Sequence, residues 1–518
     1  MKGMTLRAMT EAVNGIYHGN GEDYDKEITA ITIDSRKVAE GGLFIAIKGE
    51  RSDGHDFIGQ CFEKGAACVI SEKELPDEGH SYIQVKSSLQ ALKDLALLYR
   101  NNLDVKVVGI TGSVGKTSTK ETISSVLSEK YRVLKTLGNF NNEIGLPLTV
   151  FRLTEDDEVA VLEMGISDFG EMERLSKIAQ PDICVITNIG FCHLENLGTR
   201  DGILKAKTEI FNHMNPDGIV IVNGDDDKLS TISQVHGKRP LVFGISNKDG
   251  VYADNIKSLG LDGTSFTIHG IETADNYSTF DLTVPVPGHH MVYNAMAAAL
   301  VGSVLGLSSI EIERGVKNLK TIAGRNNIIK ENSFTIIDDC YNANPVSMKA
   351  SLDVLDTAIG RKVAILGSMF ELGENEKQMH YDVGMYLGTK DIDVLITAGD
   401  LAAQIAAGTR AYIEANYNAH GCEVHDYATR DSMLGNGESS DRFINSIYKY
   451  IDLVLLVDCD RFERRHISQV GFLSRNQGEN TCTVIYEDGE FLDSDIPQDI
   501  MDKFIKYGID DPYIWRHN

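Results

Sequence analysis

The chain has no Cys-x-x-Cys pair: its eight cysteines, Cys61, Cys68, Cys184, Cys192, Cys340, Cys422, Cys459 and Cys482, are scattered through 518 residues. That scatter indicates neither a zinc site nor a disulfide framework and suits a reducing cytoplasm. No apolar run approaches the ~18 residues of a membrane span, and the N-terminus shows no basic-then-apolar leader pattern, so a cytoplasmic protein without membrane insertion is expected. Positive charge is also short. Fifty Lys and Arg stand against 76 Asp and Glu, a net charge of −26, which argues against a nucleic-acid surface and leaves room only for a local basic pocket. Tryptophan occurs once, at Trp515, and there is no internal repeat or low-complexity tract. What remains is ordinary globular material, 42% hydrophobic, at a length that suggests about three domains.

The most informative segment is Val105-Lys-Val-Val-Gly-Ile-Thr-Gly-Ser-Val-Gly-Lys-Thr-Ser118, an apolar β-run that ends in a glycine turn and opens a helix. The turn Thr111, Gly112, Ser113, Val114, Gly115 lets backbone N–H groups approach anionic oxygens. The helix from Lys116 to about Tyr131 aims its positive end at them, with Ile123, Val126, Leu127 and Tyr131 on one face. Lys116 supplies a mobile cation, the Thr117 hydroxyl can ligate Mg2+, and Ser118 follows in the first helical turn; together they read as a nucleotide phosphate cradle. The spacing departs from the common pattern, which has glycine where this chain has Ile110.

Around this segment an α/β protein of three domains is expected. Residues 1–103 read as a small α/β unit with a strand from Ile28 to Ile33. Residues 104–321 alternate strands and helices, which predicts a mostly parallel sheet with ligands at the carboxyl ends of its strands. Within them, Ser308-x-x-Glu311 is a capping-box helix start. Residues 322–470 form a second alternating unit, with strands Phe334 to Asp338, Val363 to Leu366, Val394 to Ala398 and Leu453 to Val457. It is Rossmann-like but lacks G-x-G-x-x-G, so no dinucleotide is expected. Residues 471–518 are an acidic extension of unknown role, with a hairpin near Glu487-Asp-Gly489.

Several polar residues sit at the junctions. Glu163 closes the buried strand from Val159, where a carboxylate near the phosphate loop could hold Mg2+ directly or through water, or is simply a solvated strand terminus. His193 lies past the next strand end, and Lys205 and Lys207 are expected at a helix start; composition leaves open whether these are functional or a packing histidine and a solvated face. Asn139, Asn141 and Asn142 make a polar loop suited to a sugar or diphosphate, or simply an Asn-rich turn. Asp338-Asp-Cys-Tyr-Asn-Ala-Asn-Pro345 is a second amide-rich junction, suited to a ribose or peptide-like group.

Taken together, Asp34-Ser-Arg36, Asp53-Gly-His-Asp56, the phosphate loop, Asn139-Phe-Asn-Asn142, Glu163-Met-Gly165, Thr187-Asn-Ile-Gly190, His193, Lys207-Thr-Glu-Ile210, Asn294, Tyr341-Asn-Ala-Asn-Pro345 and Gly367-Ser-Met-Phe-Glu-Leu-Gly373 resemble the Mur ligases, ATP-dependent amide-forming enzymes of peptidoglycan precursor synthesis. The likeness runs from about Ile28 to about Tyr427. The last two segments resemble the type that adds D-alanyl-D-alanine to UDP-N-acetylmuramoyl-tripeptide, rather than sisters that add one amino acid. The resemblance implies ATP, two Mg2+ ions and an acyl-phosphate intermediate. It assigns catalysis to Lys116, His193 and Lys207, with Lys207 carbamylated and, with His193, supporting the second metal, while Thr117 and Glu163 hold the first. It further implies Asn294 at adenine, Arg325 and Asp339 at ATP, Ser35, Arg36 and Asn139 to Asn142 at the UDP-sugar, and Asn342 and Asn344 at the peptide. A monomer is expected. The chain departs at Val457-Asp-Cys-Asp-Arg461, where relatives carry a cationic turn and this chain has Asp458 and Asp460. A ligase adding a single amino acid and a non-catalytic nucleotide-binding homologue are the competing readings.

Overall fold

The computed structural model describes residues 1–49, 52–76, 79–330, 334–417, 419–429 and 433, and beyond these the backbone of four strands, Leu453–Cys459, Arg465–Asn476, Glu479–Glu487 and Glu490–Phe491. Near the N-terminus a five-stranded sheet runs in the order Ile16–His18, Tyr82–Gln84, Cys68–Ser71, Leu43–Ile45, Ile31–Thr32, parallel except at its first strand. The strand expected from Ile28 shrinks to Ile31–Thr32. Helix Ser88–Asn101, capped by the Ser87 hydroxyl, buries Leu92, Leu95 and Tyr99 between this sheet and the next.

That next sheet has nine strands. Its parallel part runs Val133–Lys135, Val159–Glu163, Lys106–Thr111, Ile183–Ile186, Ile219–Asn223, Leu241–Gly244 and Val251–Ser258; Thr264–His269 and Thr279–Val284 extend it antiparallel. The central strands are apolar on both faces because helices cover both. On one face, helix His290–Val304 and helix Ser309–Lys317 lie against the helix that follows the phosphate loop; a Cβ at Gly315 would sit 2.4 Å from the Val126 Cα, so this close packing requires glycine. Ser308 and Glu311 form the expected capping box. Strand Lys106–Thr111 lies between a strand that follows it on one side and another that follows it on the other, which makes its carboxyl end a topological switch point. Thr111, Glu163 and Ile186 all end there.

The third sheet is parallel and three-stranded, Val363–Gly367, Val394–Ala398 and Glu423–Tyr427, flanked by helices Pro345–Asp356, Glu376–Leu387 and Ala403–Ala415. Two expected members of it lie elsewhere. Thr335–Asp338 pairs antiparallel with Asn327–Lys330 as a hairpin, and Leu453–Cys459 opens a four-stranded antiparallel meander through Arg465–Asn476, Glu479–Glu487 and Glu490–Phe491. The connections explain both outcomes: a few residues suffice to reverse the chain into a hairpin, whereas a parallel partner needs a long crossover. The boundary drawn at residue 470 falls inside strand Arg465–Asn476, and the expected hairpin is present as the pairing of Glu487 with Glu490. Asp458 lies in the first strand of the meander; Asp460, Arg461 and Trp515 lie outside the described residues. Among the described residues no helix is long and apolar enough to cross a membrane.

Candidate active site

The phosphate loop is held in shape by the next strand's exit. Asn188 Oδ1 accepts from the Val114 N–H at 2.9 Å, the Asn188 carbonyl accepts from Ser113 N–H at 3.0 Å, and the Thr187 hydroxyl donates to the Val114 carbonyl at 2.6 Å. The Gly190 N–H adds a bond to Ser113 Oγ at 2.8 Å, so Thr187-Asn-Ile-Gly190 serves as the scaffold of the turn. Gly112 has φ 150°, and a Cβ there would lie 1.9 Å from Thr187 Oγ1. Gly115, at φ 82°, precedes helix Lys116–Leu127. The Lys116 ammonium folds back onto the turn, donating to Gly112 O at 2.8 Å and Ser113 O at 3.4 Å, and burial lowers its pKa. Ser118 sits in the first helical turn, its carbonyl accepting from Thr122.

Glu163 faces the same helix. Its Oε1 accepts from the Thr117 hydroxyl at 3.2 Å and from Asn141 Nδ2 at 2.9 Å, while Oε2 is buried without a hydrogen-bond partner among the described residues. A carboxylate beside a threonine hydroxyl, with one oxygen making no hydrogen bond, is an all-oxygen donor set of the kind a hard divalent cation takes, so Thr117 and Glu163 fit Mg2+. Behind them lies a feature the motif reading missed. Lys120, 1% exposed, stands 3.7 Å from Glu163 Oε2 and 3.2 Å from Glu121, which also pairs with Lys135. The available signal was its position one helical turn after Lys116, on the face packed into the core. Replacing Lys120 with methionine should leave Glu121 and Glu163 short of a buried cation and lower stability by about 3 kcal/mol, read from denaturant unfolding; an unchanged midpoint would contradict this role.

His193, with φ 58°, precedes the short helix Leu194–Leu197, and its Nδ1 lies 2.7 Å from Oε2 of Glu371, which comes from the third sheet's side. Burial lowers the His193 pKa, Glu371 opposes that, and Lys207 and Lys116 reinforce it. The lysines do not open a helix as expected. Thr199 caps helix Arg200–Thr208, accepting from the Gly202 N–H, and Lys205 and Lys207 fall in its last turn. Helical register then separates them. Lys205 is exposed over the Phe169 ring, whereas Lys207 is 1% exposed and pushed down to about 7 by burial and the like charge of Lys116. Among the described residues no group of three or more His, Cys, Asp or Glu side chains forms a metal cage.

Residues 27–100 match the Mur ligase family catalytic domain, 110–302 the Mur ligase middle domain and 324–440 the Mur ligase glutamate ligase domain. The chain is 40% identical over 427 residues, 82% of its length and 91% of the relative's, to the UDP-N-acetylmuramoyl-tripeptide--D-alanyl-D-alanine ligase of Bacillus subtilis strain 168. The chain is a Mur ligase. The enzyme of the same name from Escherichia coli K12 is 34% identical over 415 residues, covering 79% of this chain and 89% of that one. Among solved structures, MurF from Acinetobacter baumannii matches with a TM-score of 0.72 at 32% identity, over 83% of this chain and 96% of its own. MurF ligase from Thermotoga maritima in complex with ADP matches with a TM-score of 0.66 at 30% identity, over 78% and 94%.

In this Mur ligase the remaining expected site residues have definite surroundings. Asn294 is buried beneath the phosphate loop, its Oδ1 accepting from Thr119 at 3.0 Å. Arg325 stacks on Tyr341 with 3.9 Å between its guanidinium carbon and the ring centre. Asp339 accepts from the Asn326 N–H at 3.1 Å and from the Ser351 hydroxyl, which ties the start of the third unit to helix Pro345–Asp356. Asn344 is that helix's N-cap, accepting from Val346 and Ser347, and its Nδ2 lies 3.8 Å from Cys192 Sγ, beside His193. Asn342 accepts from its neighbour Ala343. Asn142 accepts from the Ile144 and Gly145 N–H groups at the start of helix Gly145–Val150, and the Asn139 carbonyl accepts from Asn141 N–H. Ser35 and Arg36 lie on a short turn at the N-terminal sheet, where the Arg36 guanidinium is held in two bonds by Asp34. The loop, Glu163, Asn141, His193 and Lys207 therefore converge; among the described residues Ser35 and Arg36 make no hydrogen bond to them and are tied instead to Asp34 and Lys64.

Proposed function

We propose that this Mur ligase joins D-alanyl-D-alanine to UDP-N-acetylmuramoyl-tripeptide, cleaving ATP to ADP and phosphate, as a cytoplasmic monomer. What carries the reading is the convergence of the Lys116 loop, Glu163, His193 and Lys207 at the strand ends of a chain that spans 91% of a ligase of that name. A carboxylate is a poor acyl donor. Its oxygen attacks the γ-phosphorus as the bond to the β,γ-bridging oxygen breaks, giving an acyl phosphate and ADP. The dipeptide amine then attacks the acyl carbon and phosphate leaves.

Several anions must meet for this, and this chain's residues are suited to hold them. The loop N–H groups and the helix N-terminus would cradle the phosphates, and Lys116 would swing from Gly112 O and Ser113 O onto them. Thr117 and Glu163 would hold a Mg2+ ion, which when bound supplies positive charge to the phosphate oxygens. Lys207 is suited to carbamylation because a pKa near 7 leaves a large share of neutral amine to attack carbon dioxide, with loss of a proton. The resulting anion would support a second Mg2+ with His193. Asn294, Arg325 and Asp339 are assigned to ATP; Ser35, Arg36, Asn139, Asn141 and Asn142 to the UDP-sugar; and Asn342 and Asn344 to the peptide. The Asn344 carbonyl is spent on its helix, so its amide nitrogen is the group that would face peptide. Residues 1–103 would bind the UDP-sugar, 104–321 would bind ATP, and 322–470 would form the Rossmann-like C-terminal domain ahead of the acidic extension 471–518.

The test is isotopic. With 18O in the tripeptide's reacting carboxylate, one labelled oxygen should appear in inorganic phosphate for each product formed; unlabelled phosphate would exclude the acyl phosphate.

A further inference from the structure

Two non-glycine residues adopt left-handed backbone on facing sides of the cleft between the nine-stranded and three-stranded sheets, His193 at φ 58° and Glu371 at φ 61°, and their side chains meet at 2.7 Å. Such backbone is unfavourable for residues of this kind and persists where the surroundings over-determine it, most often at functional sites. Both sides are anchored. Next to His193, Cys192 Sγ contacts Ser113 O of the phosphate loop at 3.5 Å and Asn344 Nδ2 of the third unit at 3.8 Å. Across the cleft, Met369 and Leu372 are buried, and the Met369 N–H donates to His380 Nε2 at 2.8 Å. The turn is thus fastened from inside while Glu371, its side chain 61% exposed, reaches outward to the histidine.

We propose that Glu371 is a positioning residue for the ligation reaction. By accepting the Nδ1–H of His193, it fixes the imidazole tautomer with Nε2 unprotonated and directed away from Glu371, available to a cation, and it does so only while the third unit is seated on the central one. The inference rests on the ligase reading above and deepens it. A ligating histidine whose other ring nitrogen donates to a carboxylate is oriented and made more basic, and loss of such a carboxylate costs about 10- to 100-fold in metal affinity or activity. It also gives a physical role to the Met-Phe-Glu-Leu-Gly segment: the two apolar side chains pin the turn and the carboxylate carries the message across the cleft.

The test uses the full chain labelled with 15N-histidine, free of metal and nucleotide, with His193 assigned among the 14 histidines as the ring signals lost in His193→Gln. The expected parent spectrum shows His193 with Nδ1 protonated and Nε2 bare. Glu371→Ala should return the ring to mainly Nε2–H, and should raise the Mg2+ concentration for half-maximal ADP release about 10- to 100-fold with the KM for the UDP-tripeptide unchanged. Glu371→Gln, which keeps the size and accepts more weakly, should fall between. A parent ring in the Nε2–H form, or a tautomer and Mg2+ requirement unchanged in both variants, overturns the proposal. If the parent shows no amine-dependent ADP release, the ligase reading fails, while the ring signals still decide whether Glu371 sets the tautomer.

Discussion

Lys116→Ala should lower the ligation rate by about 10²- to 10³-fold, the range for removing a charge aimed at developing negative charge in a dry site, with little change in thermal stability. The two halves of that expectation come from one geometry. Among the described residues the Lys116 ammonium bonds only to the carbonyls of Gly112 and Ser113, so its loss breaks no side-chain hydrogen bond there. The loop keeps its shape through Thr187, Asn188 and Gly190, which bond to its backbone and to Ser113. What disappears is the mobile cation proposed to meet the γ-phosphoryl group as it is transferred. Steady-state ADP release with a parallel melting curve checks both halves; normal turnover would remove Lys116 from the mechanism, and collapse of the fold would show a structural role instead.

Lys207→Ala should cost about 10²-fold or more and should be partly restored by added acetate or propionate. The buried side chain, once removed, leaves a space in the last turn of helix Arg200–Thr208 beside Lys116, and a short carboxylate placed there restores the anion that a carbamate would provide. Lys205→Ala, on the exposed face of the same helix, should change the rate less than twofold by the usual behaviour of surface substitutions. Rescue is measured as turnover against carboxylate concentration at fixed ionic strength. Consistent failure of rescue, or equal losses at Lys205 and Lys207, would contradict the carbamate role.

The phosphate loop, Glu163 and the parallel arrangement of the central strands were legible in the sequence because each rests on local pattern: an apolar run, a glycine turn, then helical spacing. The choice between Lys205 and Lys207 was not readable from composition. The resemblance favours Lys207, and the Thr199 cap sets the helix start and so the register that buries Lys207 and exposes Lys205. Lys120 and Glu371 escaped for a different reason. A lysine one turn into a helix reads as solvated until the opposing strand brings Glu163 beside it, and Glu371 acquires meaning only when a separate sheet places it against His193. The hairpin of Asn327–Lys330 with Thr335–Asp338 and the meander from Leu453–Cys459 were misplaced because apolar strand runs do not encode their partner; the short connections decided it.

The most direct measurement is ADP release by the purified full chain with Mg2+-ATP and UDP-N-acetylmuramoyl-tripeptide, comparing D-alanyl-D-alanine, single amino acids and no amine. Stimulation by the dipeptide alone is the expected result. Stimulation by a single amino acid, or nucleotide binding with no amine-dependent release, would contradict the assigned ligation.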